Sequence, residues 1–163
     1  MRIEICSFST IETIAKTEFE PGTYLISIRD SVAEQPVLEF KPDKILWLVF
    51  DDIGEELLTD TPMQKTLDDE IHTADMDFRL VSDNDAKRIA DFVLCNQNNI
   101  NVLICQCECG QSRSAGCAAA ISEFLYGNGI EIFADDRYHP NKMVYRKTLA
   151  ALIDRQENTC TEI

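Results

Sequence analysis

A thiol, a glycine and a guanidinium stand close together in Cys107-Glu-Cys-Gly-Gln-Ser-Arg113, and a hydroxyl follows at Ser114. These residue types can bind and attack a tetrahedral oxyanion. Gly110 lets the chain curl so that successive backbone N–H groups point inward, and such a nest of amides receives phosphate. Arg113 presents a planar fork of donors that can hold two oxygens at once. A positive local field of this kind also stabilises a thiolate, lowering a cysteine pKa from about 8.5. Cys107 is therefore a candidate nucleophile at neutral pH, and Ser114 can donate a hydrogen bond to its sulfur.

The flanking sequence supplies elements that place this loop. Asn101 to Cys105 is apolar and β-branched, as an interior strand requires, and Ser114 to Tyr126 has helical composition. The loop thus lies at a helix N-terminus, where unpaired N–H groups and the helix dipole favour an anion. Upstream, strands are expected at Arg2 to Cys6, Tyr24 to Ile28 and Ile45 to Phe50, with a brief helix capped by Ser9 or Thr10 and running through Ala15. Glu34 to Asp43, with two prolines, reads as a surface connection. Asp51 to Asp77 is acidic and irregular, and reads as a long loop with one short helix. Ser82 and Asp85 form a capping-box pattern opening a helix to about Asn96. After Gly127-Asn-Gly129 the reading is a short strand at Ile130 to Phe133, then a final helix from Pro140 through Ile153 and a frayed polar tail. Strands alternating with helices predict an α/β fold with a mostly parallel central sheet flanked by helices on both faces. Ligands bind such sheets beyond the carboxyl ends of the strands, where Cys107 and the pair Asp51-Asp52 fall.

Cys-x5-Arg-Ser with glycine three positions after the cysteine, set between a strand and an Ala-rich helix, resembles the signature loop of cysteine-dependent protein tyrosine phosphatases of the dual-specificity type. The resemblance implies a phosphatase-like domain over residues 1–163. It implies a phosphocysteine intermediate on Cys107, with Arg113 binding phosphate and stabilising the transition state and Ser114 assisting departure of the thiolate. The phosphate cradle then comprises Glu108, Cys109, Gly110, Gln111, Ser112 and Arg113. One position departs from the family pattern, because Gln106 stands where histidine usually precedes the cysteine.

Expelling an alcohol or phenol from phosphorus is easier when the leaving oxygen is protonated, so a carboxylic acid is expected beside the thiolate. In the dual-specificity family this is an Asp after an upstream strand. Asp52 and Asp51 occupy the comparable place, Asp52 being favoured, and Asp60 and Asp68 in the acidic loop stay open. Asp135-Asp136 forms a further pair, but the position of the cysteine motif two thirds along the chain favours the upstream acid. His72 and His139 read as surface residues, and Asn141 as a residue pinning the last helix near the site.

Chain-wide properties narrow the function classes. The sequence has 163 residues, enough for one domain with a sizeable core, and 45% apolar residues with no run long enough to span a bilayer. A net charge of -14 argues against nucleic acid and anionic membranes as partners. Seven cysteines, odd in number and irregularly spaced, suggest reduced thiols and a cytoplasmic protein, as does the lack of a basic-then-apolar leader. No cofactor or metal is expected. A metal site from Cys105, Cys107, Cys109 and Cys117 lacks the Cys-x2-Cys spacing and a nearby histidine, and simple packing of these thiols leaves Gly110 and Arg113 unexplained. Cys109 reads as a packing residue, with Cys109 or Cys105 a possible resolving thiol on oxidation. The expected substrate is a phosphorylated protein or a small aryl phosphate. The absence of lysine from the loop and the charge of Glu108 disfavour polyanions. The alternatives are a phosphate- or phosphopeptide-binding module that has lost turnover, and another Cys-x5-Arg anion enzyme such as a sulfurtransferase or arsenate reductase.

Overall fold

The computed structural model of the chain describes residues 1–54, 64–65, 70–72 and 77–160. In chain order these form β1 (Arg2–Ser7), α1 (Phe8–Ile14), β2 (Thr23–Arg29), β3 (Lys44–Val49), β4 (Gln64–Lys65), β5 (Glu70–His72) and β6 (Asp77–Arg79). There follow α2 (Asp83–Leu94), β7 (Val102–Cys107), α3 (Arg113–Tyr126), α4 (Ile130–Phe133) and α5 (Lys142–Cys160). The central sheet has the order β1-β7-β2-β3 with every pairing parallel.

The strand that carries the thiol is interior, with neighbours on both sides, and all its residues are buried. Its alternation sorts side chains between two cores. Leu103, Cys105 and Cys107 join Ile26, Ile28 and Leu48 under Ile89 and Val93 of α2, Ala118 and Ile121 of α3, and Val144 and Leu152 of α5. Val102 and Ile104 face the other way, against Cys6, Ile11 and Leu25. Burying each such Leu or Ile is worth about 1.5–3 kcal/mol, so the sheet-and-helix layer dominates the driving force. Helix α3 is buried continuously from Arg113 to Ser122, which its small residues Ala115, Gly116, Ala118, Ala119 and Ala120 permit. An added Cβ at Gly116 would lie 2.5 Å from the Asn141 carbonyl oxygen, so this glycine lets the segment leading into α5 approach closely.

Several boundaries depart from the sequence expectation. The first helix is capped by Ser7, whose side chain accepts from the Thr10 N–H, rather than by Ser9 or Thr10. Ile130–Phe133 is a helix, not a strand: Ala134 N–H returns to the Ile130 carbonyl, and Phe133 packs edge-on against Tyr145 of α5. A four-residue apolar run carries no periodicity of its own, and its tertiary contacts decide its form. The last helix starts after Asn141 rather than at Pro140, because Asn141 Oδ1 accepts from the Met143 and Val144 N–H groups. It continues to Cys160, so residues after Asp154 expected to fray are helical. In the acidic stretch 51–77 the described residues contribute β4 and β5, with β6 beginning at Asp77, as an antiparallel set; residues 55–63, 66–69 and 73–76, and with them the short helix expected in this stretch, lie outside the described residues. Asp60 and Asp68 lie outside the described residues. Among the described residues no helix is long and apolar enough to cross a membrane.

Candidate active site

Between the end of β7 and the start of α3 the chain makes a tight loop, Glu108 to Ser112, at the carboxyl edge of the sheet. Gly110 has φ +69°, and an added Cβ would lie 2.6 Å from the carbonyl carbon of Cys6 and from the amide nitrogen of Ser7. Only glycine lets the loop press on the end of β1 in this conformation. Three loop carbonyls turn outward to fixed donors: Glu108 accepts from Phe8 N–H at 3.0 Å, Gln111 from His139 N–H at 2.9 Å and Ser112 from Asn141 N–H at 3.1 Å. The N–H groups of Cys109, Gly110, Gln111 and Ser112 take no protein acceptor among the described residues. Unpaired amides in a curled loop at a helix N-terminus form an anion receptor.

Cys107 Sγ lies 3.0 Å from Ser114 Oγ, and only 1% of the cysteine is exposed. Two neighbouring thiols are held neutral. Burial, reinforced by Cys107 and Glu4, pushes the Cys6 thiol up to about 12. Cys105 is raised well above its ordinary value by its hydrogen bond with Cys117 and by burial. A neutral buried thiol is a poor nucleophile, which weighs against Cys105 as a resolving partner. Cys109 is exposed on the loop rather than packed.

Arg113 is 2% exposed. Its Nη1 donates to Asp30 Oδ1 at 2.5 Å and to the Phe50 carbonyl at 2.8 Å. Its Nε is buried and makes no hydrogen bond, although Asp52 Oδ2 stands 3.8 Å away. An unsatisfied buried donor costs about 1–3 kcal/mol, and a bound oxyanion would relieve it.

The structure separates the two adjacent carboxylates. Asp52 Oδ1 accepts from Ser112 Oγ of the cradle at 2.7 Å and from Asn141 Nδ2 at 2.9 Å. Asp51 is occupied elsewhere: Oδ1 accepts from Ser31 N–H at 3.0 Å and Oδ2 from Arg79 N–H at 2.7 Å. It staples the connections around β2, β3 and β6 and is not brought to the cradle. A cleft of about 520 Å³ opens beside Asp52 and Ser112, walled by Phe133, Tyr138, His139 and Pro140. Gln106 projects from the face of β7 opposite Cys107, where its Oε1 accepts from Ser27 Oγ at 2.5 Å. The departure at this position therefore lies in the layer behind the thiol.

Sequence reasoning passed over Asp30, although its place at the carboxyl end of β2 obeys the same rule that picked out Asp51 and Asp52. It also passed over the cleft wall from Phe133 to His139, whose approach to the cradle depends on two backbone hydrogen bonds. Asn141, read only as an anchor for the last helix, also holds Asp52.

No protein-family model and no curated protein matches the sequence. Solved structures do match it in three dimensions. The crystal structure of Tk-PTP in the active form aligns with TM-score 0.54 and 12% identity over 95% of this chain and 93% of that one. The crystal structure of PTPMT1 in complex with PI(5)P aligns with TM-score 0.52 and 11% identity over 97% and 94%. The chain has the protein tyrosine phosphatase fold.

Proposed function

We propose that this protein is a phosphomonoesterase of the protein tyrosine phosphatase type, acting through a cysteinyl-phosphate intermediate. The observation that carries the reading is the convergence on one loop of Cys107 and Ser114, unpaired amides, the Arg113 Nε that makes no hydrogen bond, and Asp52 hydrogen-bonded to Ser112. In the first step the Cys107 thiolate attacks phosphorus, an S–P bond forms, and the P–O bond to the leaving group breaks. Asp52 gives its proton to the departing oxygen while Arg113 and the loop amides hold the equatorial oxygens, where charge stabilisation is most effective. In the second step Asp52, now a carboxylate, takes a proton from water. The water oxygen attacks phosphorus, and Ser114 donates to the sulfur as the thiolate leaves.

A phosphorylated protein side chain or a small aryl phosphate is the substrate class that suits a cradle without lysine and with an acidic Glu108 at its rim. Tyrosine phosphatase and dual-specificity activity are both compatible with this reading. The described cysteines outside the cradle are free, which suits a reducing, cytoplasmic setting. Turnover of p-nitrophenyl phosphate in the presence of a metal chelator tests the proposal: activity that disappears in Cys107→Ser supports it. A folded wild-type protein that binds vanadate without turning over phosphate would leave the phosphate-binding module as the better reading.

A further inference from the structure

We propose that the β1 edge of the central sheet pairs two copies of this chain, each β1 running antiparallel to the other about Ile3. The register with β7 sets which backbone groups face outward. Arg2 N–H donates to the Asn101 carbonyl at 2.8 Å, and Arg2 stands opposite Val102. In the alternation of a parallel ladder Arg2, Glu4 and Cys6 therefore turn their amides and carbonyls to β7. Those of Ile3 and Ile5 point away from the sheet and make no hydrogen bond among the described residues. β1 packs on β7, α3 and α1, and no further strand lies beside it among the described residues. A row of unpaired backbone groups on a sheet edge is a template for another strand.

The side chains specify which strand. Met1, Ile3 and Ile5 are partly buried against the larger core, the α3 side of the sheet. Tyr126 of α3, half exposed, donates its hydroxyl to the Met1 carbonyl at 2.8 Å and so borders the edge on this apolar side. Arg2 and Glu4 lie on the other face, where Arg2 Nε donates to Glu4 Oε1 at 2.7 Å. A two-fold pairing centred on Ile3 sets Ile3 against Ile3 of the second copy, Arg2 against its Glu4, and Ile5 against its Met1. One face of the joined strands then carries a continuous apolar strip, and the other carries charges that alternate in sign along and across the strands. Centring the pair on Glu4 opposes the two Glu4 carboxylates, and centring it on Ile5 sets Arg2 against Phe8, where the strand has given way to α1. Unlike charges directly opposite stabilise a strand pair and like charges destabilise it, so the Ile3 register is the one selected. With a net charge of -14 two copies repel at long range, and only a contact with alternating signs offsets this locally.

Sedimentation equilibrium across the micromolar range is measured for the full chain as wild type, Ile3→Pro, Arg2→Glu, Glu4→Arg and an equimolar mixture of the last two, with the circular dichroism and thermal midpoint of each. Proline at Ile3 removes only an outward N–H, which an edge strand tolerates. The expected result is a monomer–dimer equilibrium in wild type and a monomer in Ile3→Pro. Each charge variant alone is expected to raise the dissociation constant about tenfold or more. It opposes like charges to itself but unlike charges to the other variant, so the mixture is expected to associate as wild type does. If Ile3→Pro does not fold, the exposed charge variants carry the comparison. A wild type that stays monomeric up to millimolar concentration would overturn the inference and leave the edge to an extended segment of another protein. A folded Ile3→Pro that dimerises as wild type does would also overturn it, and so would charge variants whose mixture associates no better than each alone.

Discussion

Asn141 Nδ2 donates to Asp52 Oδ1 at 2.9 Å, joining residues 89 positions apart in the chain. The same amide donates to the Ile53 carbonyl at 3.1 Å, while Asn141 Oδ1 caps α5 through the Met143 and Val144 N–H groups. One buried side chain therefore fixes both the start of the last helix and the carboxylate beside the cradle. Asn141→Ala is expected to cost about 1–2 kcal/mol of stability through the lost cap. It is also expected to reduce kcat by about tenfold, because the proposed acid, Asp52, loses one of its two hydrogen-bond donors. Urea denaturation and kcat for p-nitrophenyl phosphate separate these effects; unchanged kcat in a destabilised protein would confine Asn141 to capping.

Asp52 and Asp51 are neighbours with different tasks, and substitution should tell them apart. A general acid must carry its proton, so activity falls as rising pH removes it. Asp52→Asn is expected to slow kcat by about 10²–10⁴-fold and to abolish that high-pH decline. Asp51→Asn weakens bonds from Ser31 and Arg79 and is expected to lower stability by about 1–3 kcal/mol with the high-pH decline retained. The pH profile of kcat/KM for the two variants checks the assignment, and an exchange of these outcomes would move the acid role to Asp51.

Gly110 and Gly127 have the same φ of +69°, yet they differ in surroundings. A Cβ on Gly110 meets the backbone of Cys6 and Ser7 at 2.6 Å, whereas one on Gly127 meets nothing within 4 Å. Gly127→Ala is expected to cost about 1–2 kcal/mol for left-handed backbone alone. Gly110→Ala adds a clash that only movement of the loop relieves, so it is expected to cost more and to abolish vanadate binding. Equal stability loss in the two variants, with vanadate binding intact, would show that the loop does not depend on this approach to β1.

The thiols should sort by environment. Because burial pushes Cys6 up to about 12 and the Cys117 hydrogen bond with burial raises Cys105, both stay protonated at pH 7. Iodoacetamide at that pH is expected to modify exposed Cys95 and Cys109 and to leave Cys6 and Cys105 intact. Cys107 is expected to react in the free protein and to be protected by vanadate. Peptide mass mapping reads all these sites; a Cys107 that is inert without vanadate would count against it as a nucleophile.

Much of the architecture was legible because it follows from local rules. The β-branched run before Cys107, the capping box at Ser82 and Asp85, and the left-handed Gly127 each specify structure over a few residues. Their alternation was sufficient to predict a parallel sheet. The failures share a cause. Ile130–Phe133 is too short for a period, and its packing on Tyr145 decides that it is helical. The reach of α5 to Cys160 was hidden by a polar composition that suits an exposed helix as well as a frayed tail.

The sequence by itself determined the candidate loop: which residue bears the thiol, which the guanidinium, where glycine permits the curl, and that a strand and a helix flank it. These are properties of neighbours in the chain, readable from residue type and spacing. Only the tertiary structure decided that Asp52 rather than Asp51 meets the cradle, that Asp30 and the Phe50 carbonyl clamp Arg113, and that Gln106 faces away from Cys107 toward Ser27. The carboxylate contacts join ends of parallel strands and helices far apart in sequence. Side-chain direction at those ends is set by register and packing, which no local pattern of residues encodes.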